Sequence, residues 1–276
     1  MILRCANLDL DLNQPRVMGI LNVTPDSFSD GGLFIKPSDA LKHAVIMVDE
    51  GAAIIDVGGE STRPGAQSVS LQQELDRVIP VIESLTRELC VPVSIDTSKP
   101  EVMREAAAAG AGMINDVCAL SAAGAIEAAT ETRLPVCLMH MQGNPRSMQQ
   151  HPHYDDVVAD VSDYLQQRAR ACLAAGITDD KILIDPGFGF GKNLSHNIKL
   201  LKKLNVISKL GYPVLAGISR KRMIGQILNE SEADQRLYGS LAAAVIAAMK
   251  GASILRVHDV RATVDAMRIT AAVIQQ

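Results

Sequence analysis

The sequence predicts a (β/α)8 barrel in a single domain, residues 1–276, with a short N-terminal β-hairpin. Short apolar runs recur eight times, each ends in a polar residue, and a stretch with helical periodicity follows each run. Runs that are apolar at every position are typical of strands buried on both faces of a parallel sheet. Eight strand-then-helix units within about 250 residues are typical of such a barrel, whereas a doubly wound open sheet, the alternative, normally has fewer strands.

The predicted strands follow one another at the spacing that intervening helices require. They are RVMGILN (16–22), AAIIDVGG (52–59), VPVSIDT (91–97), AGMINDV (111–117), LPVCLMH (134–140), KILIDPG (181–187), YPVLAGIS (212–219) and ASILRVH (252–258). Residues 1–15 precede them and contain the alternating stretch LDLDL. We expect this segment to form the hairpin that closes the bottom of the barrel.

The stretches between the strands have helical spacing. Leu41, Ala44, Val45 and Val48 follow the i, i+3, i+4, i+7 pattern of an amphipathic helix. Glycine in the left-handed conformation commonly ends a helix, and a glycine stands near the end of several of these stretches. These glycines are Gly51, Gly110, Gly176, Gly211 and Gly251.

Composition excludes several classes of function. The chain is 47% hydrophobic, carries a net charge of −4 and has no tryptophan, and it lacks a basic run, so we expect no nucleic-acid partner. The most apolar stretch, 241–249, is too short to cross a bilayer, and the first residues do not resemble a signal peptide. Five scattered cysteines without a CxxC pair are typical of a reducing compartment, so we expect a cytoplasmic protein without a membrane partner.

The active site of such a barrel lies at the carboxyl ends of its strands. The residues at these ends are Asn22, Asp56, Asp96, Asn115, Asp116, His140, Asp185, Ser219 to Arg222, Arg256 and His258. Acids and amides gather on strands three, four and six, and cations on strands seven and eight. This division predicts a ligand with N–H donors at one end and an anionic group, such as phosphate or pyrophosphate, at the other.

Structural interpretations of the acids stay open at this point. Asp56 is equally well explained as a buried acid that ties the barrel layers together. Asp96 and Asp185 have the residue type that is favoured at helix N-caps. His151 and His153 have a spacing found in metal sites, but no further ligand is evident, and a solvent-exposed loop explains them better.

Two further motifs suggest other chemistry. DPGFGFGK differs from a P-loop because Asn193 follows the lysine, and it differs from a dinucleotide fingerprint in spacing and position. We therefore expect its glycines to let the backbone approach a ligand closely. Lys221 stands between Arg220 and Arg222, which could lower its pKa, as a Schiff-base lysine of a barrel aldolase would require.

Seven motifs in order resemble the dihydropteroate synthase family over about residues 15–265. They are GILNVTPDSFSDGG, DVGGESTRPG, SIDTSKPEV, INDV, DPGFGFGK, GISRKRMIG and LRVHDV. The resemblance implies transfer of 6-hydroxymethyl-7,8-dihydropterin from its pyrophosphate to para-aminobenzoate, which gives 7,8-dihydropteroate through an SN1-like pterin carbocation. It also implies inhibition by sulfonamides and a homodimer.

The resemblance implies a role for each matching residue. The catalytic residues that it implies are Asp96, Asp185, Lys221 and Asp30. Its pterin-binding residues are Asp96, Asn115, Met139, Asp185, Phe190, Lys221 and Arg256. Its pyrophosphate-binding residues are Asn22, Thr62, Arg63, Arg256, Val257 and His258, and Asn22 is also the ligand of a Mg²⁺ ion. Its para-aminobenzoate-binding residues are Phe28, Pro64, Ser219 and Lys221.

The loop after the first strand, residues 23–36, is predicted to close over bound substrate and exclude water. Two rival functions share the barrel. One is a methyltransferase domain that binds methyltetrahydrofolate, which would not need a pyrophosphate site. The other is a module that binds a pterin without turnover.

Overall fold

The structure, a computed structural model, describes residues 1–24, 36–61, 69–143 and 148–274. Within these residues, eight parallel strands close into a barrel in which each strand pairs with its neighbours in the chain and the last pairs with the first. An antiparallel hairpin precedes the barrel. The predicted barrel and hairpin are therefore confirmed.

The strands are β1 (Ile2–Cys5), β2 (Leu8–Asp11), β3 (Arg16–Asn22), β4 (Ile54–Gly58), β5 (Val93–Asp96), β6 (Met113–Asp116), β7 (Val136–Met139), β8 (Ile182–Asp185), β9 (Val214–Ala216) and β10 (Ala252–Val257). The helices are α1 (Pro37–Asp49), α2 (Leu71–Glu88), α3 (Pro100–Ala108), α4 (Ala125–Thr132), α5 (Val157–Ala174), α6 (Leu194–Lys202), α7 (Leu204–Ile207), α8 (Arg222–Leu228), α9 (Leu237–Met249) and α10 (Val260–Ile274).

Glycines end the helices as the sequence predicts. The φ angles of the five predicted positions lie between 96° and 101°, a region that side chains with a Cβ rarely adopt. Each glycine lets the chain turn from a helix into the next strand.

Two apolar clusters hold the fold together. The larger lies between the strands and the surrounding helices. The smaller lies inside the barrel, where Leu3 and Leu10 of the hairpin pack against strand residues such as Ile54, Met113 and Leu183. The hairpin thus closes one end of the barrel with apolar side chains, and the polar strand ends lie at the other end. Among the helices of the described residues, none has both the length and the hydropathy to cross a membrane.

Candidate active site

The barrel interior changes from apolar to polar along each strand. Side chains alternate in direction along a strand, so a residue two positions beyond an interior apolar residue also points inward. Ile54, Met113, Cys137, Leu183 and Ile254 belong to the interior cluster. The residues two positions further on are Asp56, Asn115, Met139, Asp185 and Arg256. The strand period thus places five of the predicted or candidate site residues in one layer above the apolar floor.

Strand register aligns further polar residues at the rim. Asn22 is the partner of Gly58, Gly58 is the partner of Asp96, and Asp96 is the partner of Asn115. Because Gly58 has no side chain, the space between Asn22 and Asp96 stays open. A Cβ atom there would lie 3.7 Å from Asn22 Oδ1 and 3.8 Å from Asp96 Oδ2.

Arg256 connects the acids of three strands. Its Nε donates to Asp56 Oδ2 at 2.6 Å, and its Nη2 donates to Asp96 Oδ2 at 2.9 Å. Asn115 Nδ2 donates to the same oxygen of Asp56 at 3.1 Å. Asp56 is fully buried, so the interpretation of this residue as an acid that ties the barrel layers agrees with its contacts. Within the described residues Arg256 Nη1 has no partner, which leaves one edge of the guanidinium for an anion.

Burial changes the acid–base properties of the site. It raises the pKa of Asp96 to about 7, although the positive charge of Arg256 opposes the shift. Burial likewise raises the pKa of Asp185, against the opposing charge of Lys221. Burial lowers the pKa of Lys221 to about 8, and Asp185 opposes that shift. Asp96 and Lys221 therefore change charge near neutral pH.

The N-cap alternative for the two acids is wrong. Helix α3 has Lys99 at its N-cap, and helix α6 has Asn193 there. Asp185 instead accepts a hydrogen bond from the Gly187 N–H at 2.7 Å, in the loop that follows its strand.

Lys221 lies over the pterin side of the predicted site. Its Nζ donates to the Phe188 carbonyl oxygen and lies 4.5 Å from the centre of the Phe190 ring. The lowered pKa arises from burial, with Arg256 adding to it, and not from the neighbouring arginines that the aldolase hypothesis invoked. Arg220 instead forms a two-bond ion pair with Asp259.

Ser219 and His258 contact each other on the cationic side of the rim. The Ser219 hydroxyl lies 3.1 Å from His258 Nδ1 and also accepts the His258 N–H at 3.2 Å. Ser219 therefore positions His258 in this structure. Val257 packs its side chain into the outer cluster between strands and helices, so only its backbone faces the mouth.

Five predicted site residues lie outside the described residues: Phe28, Asp30, Thr62, Arg63 and Pro64. Most of the predicted closing loop, residues 25–35, lies outside them too. Their roles stay predictions.

Some strand-end residues have structural roles. Asp116 accepts the N–H groups of Cys118 and Leu120 at 2.8 and 2.7 Å and so shapes the turn after β6. His151 and His153 are exposed, as the loop interpretation expects. No cluster of three or more His, Cys, Asp or Glu suited to a metal ion occurs in the part of the chain that the structure describes.

Sequence reasoning missed one buried lysine beneath the site. Lys192 is 2% exposed and contacts His140, which the sequence places only as a strand end. The motif DPGFGFGK contained a signal for this burial. Its three closely spaced glycines form a loop whose carbonyl groups need hydrogen-bond donors, and Lys192 is the nearest donor in sequence.

Comparisons with known proteins agree with this geometry. The family model of the pterin-binding enzymes matches residues 18–258. Dihydropteroate synthase of Escherichia coli strain K12 is 60% identical over 263 residues, which cover 95% of this chain and 93% of that protein.

Solved structures agree as well. The Yersinia pestis dihydropteroate synthase in a sulfonamide drug complex superposes with a TM-score of 0.96 and 55% identity, and the match covers 100% of both chains. The Xanthomonas albilineans dihydropteroate synthase in complex with 7,8-dihydropteroate gives a TM-score of 0.92 and 50% identity, again over 100% of both chains. The chain therefore belongs to the pterin-binding enzyme family and, within it, to the dihydropteroate synthases.

Proposed function

We propose that this chain joins 6-hydroxymethyl-7,8-dihydropterin pyrophosphate to para-aminobenzoate and releases 7,8-dihydropteroate and pyrophosphate. The arrangement around Arg256 carries the proposal. One edge of its guanidinium pairs with Asp56 and Asp96, and Nη1 is left for an anion. An acidic recess for N–H donors thus lies directly beside a site for a phosphate oxygen.

The pterin half fits the acidic recess. Asp96, Asn115 and Asp185 offer oxygen atoms to the N–H groups of the aminopyrimidine edge, and Met139 and Phe190 enclose the ring. Met139 is buried beside Asp185, its strand partner. Lys221 closes the recess from above.

The anionic half is proposed to meet Arg256, His258 and the backbone of Val257. The predicted binding of pyrophosphate by Thr62 and Arg63 belongs to the same proposal. A magnesium ion fits Asn22. Its amide oxygen is a hard donor at the rim, and no other described side chain engages it. Mg²⁺ needs few protein ligands, because water and substrate phosphates complete its shell. When bound, it would neutralise charge that develops on the pyrophosphate.

The reaction is proposed to pass through a pterin carbocation. The bond between the exocyclic methylene carbon and the bridging oxygen breaks, and pyrophosphate leaves with the electron pair. Arg256 and His258 stabilise the departing charge, while the carboxylates of Asp96 and Asp185 stabilise the cation. The aniline nitrogen then forms the C–N bond and loses one proton to water. Asp30 and the loop around it are proposed to exclude water before this attack.

Para-aminobenzoate is proposed to lie between Lys221 and the first two loops, with Phe28 and Pro64 along its ring. Its carboxylate is proposed to contact the Ser219 hydroxyl, which in this structure lies 3.1 Å from His258 Nδ1.

Pyrophosphate release tests the function. Purified chain, Mg²⁺, the pterin pyrophosphate and para-aminobenzoate should release pyrophosphate and form dihydropteroate in equal amounts. Binding of the pterin without release would favour the binding module, and methyl transfer from methyltetrahydrofolate would favour the methyltransferase. Either outcome would refute the proposed reaction.

Substituted para-aminobenzoates test the carbocation. If C–O cleavage limits the rate, kcat should change little as ring substituents alter the basicity of the aniline nitrogen. A steep increase of kcat with basicity would instead indicate direct displacement.

We also propose that the single domain acts as a homodimer in the cytoplasm. Helices α9 and α10 expose Tyr238, Met249, Ile269 and Val273, and such an apolar surface is typical of an interface. All five cysteines are free thiols, as expected in a reducing compartment. Sedimentation should give twice the chain mass of 29.5 kDa, and Ile269→Glu should halve it. Ile198→Glu, on α6, is the control that should leave the mass unchanged, and a monomeric wild type would refute the dimer.

A further inference from the structure

The loop between β8 and α6 is held almost entirely by side chains. Gly187, Gly189 and Gly191 have φ angles of 67°, 80° and 62°, so the backbone turns repeatedly and cannot form a regular ladder of hydrogen bonds. Each of the five carbonyl groups from residue 187 to residue 191 accepts a hydrogen bond from a side chain. The donors, in the order of the acceptors, are Lys192, Lys221, Gln149, Lys192 again and Tyr154.

Lys192 is the central donor of this loop. Its Nζ lies 2.9 Å from each of three groups, the Gly187 oxygen, the Phe190 oxygen and His140 Nδ1, and 3.3 Å from the His140 carbonyl oxygen. The amine therefore has four polar partners, although the residue is only 2% exposed. The contact with His140, at the end of β7, fixes the loop to the neighbouring strand.

The held loop carries the groups that surround Lys221. The Phe188 oxygen accepts from Lys221 Nζ, and the Phe190 ring lies 4.5 Å from it. The Gly187 N–H donates to Asp185 Oδ1 at 2.7 Å. Both polar walls of the recess proposed for the pterin thus depend on where this loop lies.

We propose that Lys192 is a positioning residue for the pterin subsite, acting through the loop and through His140 on Lys221, Phe190 and Asp185. This inference rests on the proposed function. Lys192 itself is buried beneath the loop and does not reach the mouth, so its effect is indirect. It should act on the pterin half of the substrate and not on the pyrophosphate half, which meets Asn22 and the β10 end of the barrel.

Two ligands test this division in calorimetry: 6-hydroxymethylpterin, which lacks phosphate, and inorganic pyrophosphate with Mg²⁺. Lys192→Met removes the amine, and with it all of these contacts, at similar side-chain length. It should weaken pterin affinity at least ten-fold and change pyrophosphate affinity less than two-fold. With the full substrates, KM for the pterin pyrophosphate should rise more than KM for para-aminobenzoate.

Tyr154→Phe is the matched control. It removes one donor from the same loop, at the Gly191 oxygen, which lies 2.8 Å from the hydroxyl, whereas Lys221 donates to the Phe188 oxygen. It should change pterin affinity less than three-fold. Equal pterin affinity in Lys192→Met and wild type, or equal loss for both ligands, would overturn the positioning role.

Lys192→Gln keeps the experiment decisive if the methionine variant does not fold. Its amide can still donate two hydrogen bonds, so pterin affinity should fall without being lost completely. Unchanged affinity would again overturn the inference. Failure of the wild type to bind 6-hydroxymethylpterin would be a different result, because it would refute the proposed function itself.

Discussion

Replacing Arg256 by Gln should destabilise the fold, and more so at alkaline pH. The guanidinium lies 2.6 Å from Asp56, which is fully buried, and 2.9 Å from Asp96. Removing one partner of a buried ion pair costs about 3–5 kcal/mol. Because the Arg256 side chain is 20% exposed, we expect the lower value, about 3 kcal/mol. The entropy of unfolding is about 2.1 cal/mol/K per residue, so for a domain of this size that loss lowers Tm by about 5 °C.

The pH dependence follows from Asp96. Its folded-state pKa of about 7 lies above the unfolded value. The contribution of this group to the free energy of unfolding therefore falls as the pH rises towards 7 and stays constant at higher pH. Arg256 lowers that pKa, so the variant should have a higher one and should lose stability further above pH 7. The Tm difference between wild type and variant should therefore be larger at pH 8.5 than at pH 6.

Thermal unfolding followed by circular dichroism at both pH values measures this effect. Arg261→Gln is the control, since it removes the same side chain from an exposed i,i+4 pair with Asp265. Exposed pairs contribute about 0–1 kcal/mol, so Tm should change little. A loss in the Arg256 variant as small as in this control, or one that is the same at the two pH values, would refute the reasoning.

Three further predictions concern the site and its loop. The kcat/KM for the pterin pyrophosphate should rise as Asp96 loses its proton at a pKa of about 7 and fall as Lys221 loses its proton at a pKa of about 8, and a flat profile from pH 6 to 9 would contradict these roles. Gly187→Ala should destabilise far more than Gly211→Ala in urea unfolding, because both have positive φ but only the first would place its Cβ 1.9 Å from a backbone oxygen, while the second meets nothing within 4 Å. Equal loss in the two variants would show that φ alone matters. Asn22→Ala should raise the Mg²⁺ concentration needed for half-maximal turnover about ten-fold, and an unchanged requirement would remove Asn22 from the metal site.

The sequence was sufficient to predict the barrel because the strands are apolar on both faces and end in polar residues. Asn22, Asp96, Asn115 and Asp185 could be assigned to one face because the carboxyl ends of parallel strands meet there. These predictions needed only local patterns and one topological rule.

Local patterns could not predict contacts between residues that are far apart in the sequence. Arg256 and Asp56 are separated by 200 residues, and their pairing depends on inward direction, which only the closed barrel defines. The burial of Lys192 was hidden because lysine is normally exposed, and its partners are mostly backbone oxygens. Arg220 looked like an influence on Lys221, but its pairing with Asp259 could not be read from the run SRKR.

The glycine between Asn22 and Asp96 has a consequence for substrate length. Neighbouring strands in a sheet lie about 4.8 Å apart, so the backbones of β3 and β5, with Gly58 on the strand between them, lie about 10 Å apart. The hydrogen bonds of the barrel fix this backbone separation. If one strand binds the phosphate end and the other binds the ring end, the spacing of the strands selects substrates by the distance between these two ends. A substrate with a longer link between ring and phosphate could then occupy either position but not both.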